Sequence, residues 1–172
     1  SISGATSNAT LTASTLINLI NITSDATLNI ANNAQLRLAT NNFLQNSGTV
    51  NFNSLGNISG ILFEGLGNTD IIGTGVFNLG NSLANRLVTN ADGNTIINSA
   101  LHTIQGGGTL LNNLGGFINQ GNLFATNPVG FVIDPGANGF VNTGNMVAQS
   151  SSTNGFQLNT GSYDFNAAPI IE

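Results

Sequence analysis

Cysteine, tryptophan and lysine are all absent from this 172-residue chain, and charged residues make up only 5% of it. Each gap closes off a class of chemistry. Without cysteine there is neither a disulfide scaffold nor a thiolate metal site, although the absence does not identify a compartment. Arg37 and Arg86 are the only permanent cations. A chain with no basic patch cannot neutralise nucleic-acid phosphates or an anionic lipid surface, so no nucleic-acid partner is expected. No apolar run approaches the roughly 18–20 residues that span a bilayer, so no membrane insertion is expected either. Residues 1–6 have neither the basic start nor the apolar centre of a signal peptide. The chain therefore reads as mature or as cut from something longer.

What is present argues for a packed fold. The chain is 40% apolar, with a formal charge of only −5. Disordered chains combine low hydrophobicity with high net charge, so this one can bury a core. No Pro-rich or charged linker divides it, and 1–172 reads as a single domain, with 1–15, poor in large apolar residues, as a cap, linker or assembly arm.

The strongest signal is a restated phrase. Residues 116–125, Gly-Phe-Ile-Asn-Gln-Gly-Asn-Leu-Phe-Ala, recur at 139–148 as Gly-Phe-Val-Asn-Thr-Gly-Asn-Met-Val-Ala, a step of 23. A third copy is read at 154–161, and an earlier Asn-x-Gly corner lies at Asn46–Gly48, with weaker versions at Gly73–Gly75 and Gly106–Gly108. Glycine supplies the positive φ of a sharp bend, and Asn tolerates it best among the other residues. The corner set is thus Asn46, Gly48, Gly75, Gly108, Asn119, Gly121, Asn142, Gly144, Asn159 and Gly161. Its glycines are spaced 27, 33, 13, 23 and 17 residues apart, so the coils are irregular and the 13-residue step need not be a full coil. Stacked at about 4.8 Å, the corner asparagines could hydrogen-bond from coil to coil. A second corner type is read in Leu55-Gly56-Asn57, Leu66-Gly67-Asn68, Leu79-Gly80-Asn81 and Leu114-Gly115-Gly116, each with an apolar plug.

Between corners, alternating runs such as Thr27–Ile30, Thr49–Phe52, Val76–Leu79 and Phe131–Ile133 read as strands. The apolar spacing at 15–22 and 82–88 fits a short helix at one or both. An antiparallel sandwich is the rival, because Asn138-Gly139 and Asn154-Gly155 favour hairpins. A sandwich has no reason to reuse a decapeptide at a fixed step, whereas a β-solenoid does. The expected fold is all-β, a right-handed parallel β-helix with coils of about 23 residues, some seven of them making a rod roughly 35 Å long.

Taken together, Asn94-Thr95-Ile96-Ile97, Ile104-Gln105-Gly106-Gly107-Gly108-Thr109-Leu110, Phe117-Ile118-Asn119-Gln120-Gly121, Ile133-Asp134-Pro135 and Val141-Asn142-Thr143-Gly144 resemble the β-strand repeats of autotransporter passengers and filamentous-haemagglutinin-like exoproteins. The resemblance covers about 43–166. It implies a β-helix displayed outside the cell, often within a longer chain, serving adhesion, biofilm or fibre formation. No catalytic residue transfers with it.

Residues that could carry chemistry are sparse. Glu64, Asp70, Arg86 and Asp92 could form a polysaccharide-cleaving cleft if neighbouring coils brought them together. His102 has no triad or metal partner at a telling spacing, and is read as a surface or strand-edge residue. Asn90–Asn94 lacks the closing Glu of a calcium loop, and Gly106–Gly108 lacks the Lys-Ser/Thr of a phosphate loop. Phe43, Phe117, Phe131, Phe140 and Phe156 read as core rather than as a sugar-stacking stripe. The Asn-x-Ser/Thr triplets at Asn8, Asn21 and Asn57 are what so Asn-rich a composition produces by chance. No metal and no cofactor is implied. The reading is a non-catalytic extracellular structural or adhesive module, secreted or on the cell surface. Its expected partners are further copies, more coils of a longer chain, or a host-surface or glycan receptor. The alternative is a carbohydrate-binding or carbohydrate-cleaving β-helix, and ice binding, which wants a regular Thr array, ranks last.

Overall fold

The computed structural model describes residues 8–17, 20–39, 43–65 and 67–165. Over these residues the chain is a parallel β-solenoid: each coil contributes one strand to each of three seven-stranded sheets. The first sheet stacks Asn8–Leu11, Thr27–Ile30, Thr49–Phe52, Val76–Leu79, Thr103–Gly106, Asn122–Ala125 and Asn145–Ala148. The second stacks Thr15–Ile17, Ala34–Leu38, Ser59–Phe63, Asn85–Thr89, Gly108–Leu110, Phe131–Ile133 and Phe156–Leu158. The third stacks Ile20–Ile22, Phe43–Asn46, Asn68–Ile72, Thr95–Asn98, Gly116–Asn119, Gly139–Asn142 and Tyr163–Asp164.

The restated decapeptide is one coil lying on the next. Phe117 pairs with Phe140 and Asn119 with Asn142, then Asn122 with Asn145, all in parallel register. The first-sheet register places successive coils 19, 22, 27, 27, 19 and 23 residues apart. Strand lengths barely change, so the corners absorb the variation.

Period-two alternation explains the core. In the first sheet Leu28, Val50, Phe77, Ile104, Leu123 and Met146 stack as one inward column, each at most 5% exposed. Leu36, Ile61, Leu87, Leu110 and Ile133 form the facing column of the second sheet. Burying a side chain of this size contributes roughly 1.5–3 kcal/mol. Phe117 and Phe140 stack with centroids 5.9 Å apart and planes 15° apart, and Phe131 and Phe156 do the same at 5.9 Å and 10°. Phe43 departs from the core reading: it faces outward from the third sheet and is 41% exposed.

Four readings need correction. No helix forms among the described residues of 15–22, where Thr15–Ile17 and Ile20–Ile22 are strands, nor at 82–88, where one turn at Leu83 and Ala84 leads into Asn85–Thr89. These strands belong to coils, and parallel pairing overrides the weak helical period. Residues 154–161 do not share the corner of 139–148, because Phe156 pairs with Phe131 in the second sheet. Gly155 and Gly130 both have positive φ and take the same place in the preceding corner. Gly106–Gly108 also lies between the first and second sheets, which is why the 13-residue step is no coil. The Leu-Gly corners divide as well: 55–57 and 79–81 join the first sheet to the second, and 114–116 joins the second to the third. Leu55 is 89% exposed and plugs nothing; Leu66 lies outside the described residues.

Candidate functional site

The corner from the third sheet to the first gathers the most unusual chemistry, a file of buried polar side chains running along the rod. Asn46, Asn98, His102, Asn119 and Asn142 are each at most 4% exposed. Asn46 and Asn119 close short Asn-x-Gly corners, and the bare Gly48 and Gly121 let the chain pass against neighbouring backbone. A Cβ at Gly48 would collide with the carbonyls of Ala26 and Thr23, and one at Gly121 with those of His102 and Ser99.

The hydrogen bonds run in one direction. The Gly48 N–H donates to Asn46 Oδ1 at 3.2 Å, so the Asn46 Nδ2 group faces His102 Nε2 as a donor at 2.9 Å. The Nε2 atom must therefore accept, and the ring proton sits on Nδ1, 2.7 Å from Asn98 Oδ1. Asn98 Nδ2 donates to Asn119 Oδ1 at 2.8 Å, Asn119 Nδ2 to Asn142 Oδ1 at 2.7 Å, and Asn142 Nδ2 to the Gly144 carbonyl at 3.0 Å. Every link is satisfied, the condition under which a buried polar network stabilises a fold.

His102 corrects the expectation of a surface histidine. It stands immediately before Thr103, in the position held by Gly48 and Gly75 in the two preceding coils. Because Gly75 has no side chain, the imidazole reaches across its coil to Asn46; a Cβ at Gly75 would lie 2.5 Å from Asn46 Nδ2. The ring also meets Phe77 edge-on, with centroids 4.6 Å apart and planes at 81°. Burial lowers its pKa from 6.5 to about 3, so it is neutral at ordinary pH. Asn98 and His102 carry no corner motif in the sequence, because their corner, Asn98-Ser99-Ala100-Leu101-His102, contains no glycine.

The remaining corner residues divide. Asn142 and Gly144 belong to the file. Gly108 opens a second-sheet strand, and Asn159 and Gly161, both exposed, follow the last second-sheet strand. Asn159 does serve locally, since the Tyr163 hydroxyl lies 2.7 Å from its carbonyl and 2.9 Å from that of Ile133.

The four residues considered for sugar cleavage do not converge. Glu64 is bound by Arg37, whose Nη2 and Nε lie 2.6 and 3.1 Å from its Oε1. Asp70 stands on the outer face of the third sheet beside Ile97, and Arg86 on that of the second between Gly60 and Thr109. Asp92 caps a turn, accepting the Gly115 N–H at 3.3 Å. No group of three or more His, Cys, Asp or Glu side chains able to hold a metal occurs among the described residues.

A second feature lies outside, where the first sheet turns toward the second. Asn29, Asn51, Asn78 and Gln105 form an outward amide ladder: Asn51 donates to Asn29 at 2.9 Å, Asn78 to Asn51 at 3.1 Å, and Gln105 to Asn78 at 2.7 Å. Beside it the corner shrinks to Gly107 alone, between Gly106 and Gly108, whereas adjoining coils have longer corners. Asn127 Nδ2 reaches across this gap to the Leu79 carbonyl at 2.9 Å, and the Val129 N–H reaches Asn81 Oδ1 at 3.1 Å. The notch is a groove of about 260 Å³, bordered by Asn51, Asn53, Asn78, Gln105, Thr126 and Asn127.

Comparison with known proteins yields no matching family model, no matching curated protein and no matching solved structure.

Proposed function

We propose that this solenoid is a non-catalytic structural or adhesive module that works outside the cell, secreted or at its surface, as a stretch of a longer fibre or as a self-associating unit. The observation that carries this reading is the use made of the polar interior. The file from Asn46 to Asn142 includes the one histidine, and its links from Asn46 to His102, Asn98 to Asn119 and Asn119 to Asn142 hold coil to coil. Such a file makes the stack rigid and its register unique. A parallel stack is also extendable: each coil pairs with the next in the same parallel sense, so a further coil would add by the same pairing.

The test is electron microscopy with analytical ultracentrifugation of the purified chain over a wide concentration range. Rods with a seven-rung height of about 30 Å that join end to end as concentration rises are the expected result. Dispersed single rods at every concentration would count against self-association and leave only a segment role within a longer chain. An expanded, non-rod-like particle would remove the structural reading altogether.

A further inference from the structure

We infer that the groove beside the outward amide ladder binds a neutral polysaccharide lying along the first sheet, which gives the adhesive reading above a ligand class. The inference rests on that reading for its biological sense, but on separate residues for its chemistry.

A primary amide offers two N–H groups and a carbonyl oxygen with two lone pairs. Asn51 and Asn78 each spend one N–H and one lone pair on their ladder neighbours. Each keeps one donor and one acceptor, the pair that a sugar hydroxyl needs, since a hydroxyl both gives and receives. Successive rungs repeat this pair about every 4.8 Å, close to the length of one ring in an extended glycan. Asn53, Thr126 and Asn127 add neutral polar groups on the far side, and Phe124, half-buried, follows Gln105 in the same outward column and offers a ring beyond the last amide.

Other ligand classes fit less well. No charged residue borders the groove, so neither anionic nor cationic groups find a partner. A peptide strand would need an open sheet edge, and these strands are paired on both sides. At about 260 Å³ the groove falls below the roughly 300–1,000 Å³ of sites that enclose small molecules. It suits part of a chain running along the rod. With no carboxylate at its border the site can hold a glycan but has no acid–base pair to cleave one.

The test is titration calorimetry of the chain with four probes: the β-1,4-linked glucose hexamer, the α-1,4-linked glucose hexamer, the β-1,4-linked mannose hexamer, and hexagalacturonate as the acidic control. At least one neutral hexamer should bind saturably, with an affinity that changes less than about twofold between about 50 mM and 1 M NaCl. Gln105→Leu, at the ladder's end, should weaken binding by about tenfold, as should Asn78→Leu, whereas Gln35→Leu on the second sheet should not. Thermal unfolding confirms that each variant is folded, and Gln105→Leu keeps the test decisive if Asn78→Leu is not. Absence of binding by every neutral hexamer at about 10 mM, binding by hexagalacturonate alone, or full affinity in folded Gln105→Leu would each overturn the proposal. Absence of binding by a native chain that still forms rods sinks the groove alone; binding by a native chain that forms none sinks the structural reading alone.

Discussion

Acidification should destabilise this rod through one residue, His102. In the unfolded chain the imidazole takes up a proton near its ordinary pKa of 6.5, whereas burial in the folded state pushes that value down to about 3. Between those limits the unfolded state binds more protons. The stability associated with His102 is therefore complete above pH 6.5, falls as pH drops, and levels off below about pH 3. At about 1.4 kcal/mol per pH unit the whole loss is roughly 5 kcal/mol, a large part of the 5–15 kcal/mol that holds a typical domain. Beside this cost of burial, the geometry offers the charged ring no partner: protonated Nε2 would point a second N–H at the Asn46 amide N–H, and turning that amide over would set its NH2 against the Gly48 N–H. The assay is urea denaturation of the native chain and of His102→Gln at about pH 7, 6, 5 and 4. The difference between the two cancels the carboxylates common to both. At neutral pH the variant should be less stable by about 2–4 kcal/mol, from the lost ring packing and a broken buried network. Below about pH 6 that gap should close at nearly 1.4 kcal/mol per unit. Parallel stability curves from neutral pH to about pH 4, or nitrogen chemical shifts showing an imidazolium in the folded protein at about pH 5, would refute the reasoning.

Three further outcomes follow from the same structure. Asn119→Ala strands a buried donor on Asn98 and a buried acceptor on Asn142; it should cost about 2–4 kcal/mol in urea denaturation, against less than about 1 for Asn51→Ala in the part-exposed outer ladder. Gly75→Ala places a methyl 2.5 Å from both Asn46 Nδ2 and the Gly48 carbonyl; it should lower the melting temperature by several degrees and disturb the His102 ring resonances, which a merely local strain would leave alone. Arg37→Ala breaks the ion pair with Glu64, but the arginine side chain is 43% exposed; the change in stability should stay under about 1 kcal/mol and shrink further in high salt.

The solenoid was legible because one coil was copied nearly residue for residue. The 23-residue step set Phe117 on Phe140 and Asn119 on Asn142, and those are the pairs that form. Where the copying was looser, local likeness misled. Residues 154–161 repeat the Asn-Gly-Phe opening of 138–140, yet every sheet uses the same two-residue alternation, and such a phrase cannot say which sheet it joins. Only the longer corner at 149–155 carries Phe156 round to Phe131. The helical reading at 82–88 failed for a related reason: the turn at Leu83 and Ala84 interrupts the alternation and leaves an apolar spacing that imitates a helix.

Sequence alone determined the class of this protein: a sparsely charged, cysteine-free chain with an apolar alternation and glycine corners at coil spacing buries its core by stacking. It also named most of the residues that line the asparagine file. Tertiary structure decided which polar groups meet. His102 lies 56 residues from Asn46, and no local pattern links them. They touch because two coils of 27 residues bring His102 over Gly75 and Gly75 over Gly48, and because the glycine between leaves room for an imidazole. The groove has the same origin: it exists where a coil of 19 residues follows one of 27, a difference in length that becomes a shape only when the coils are laid on one another.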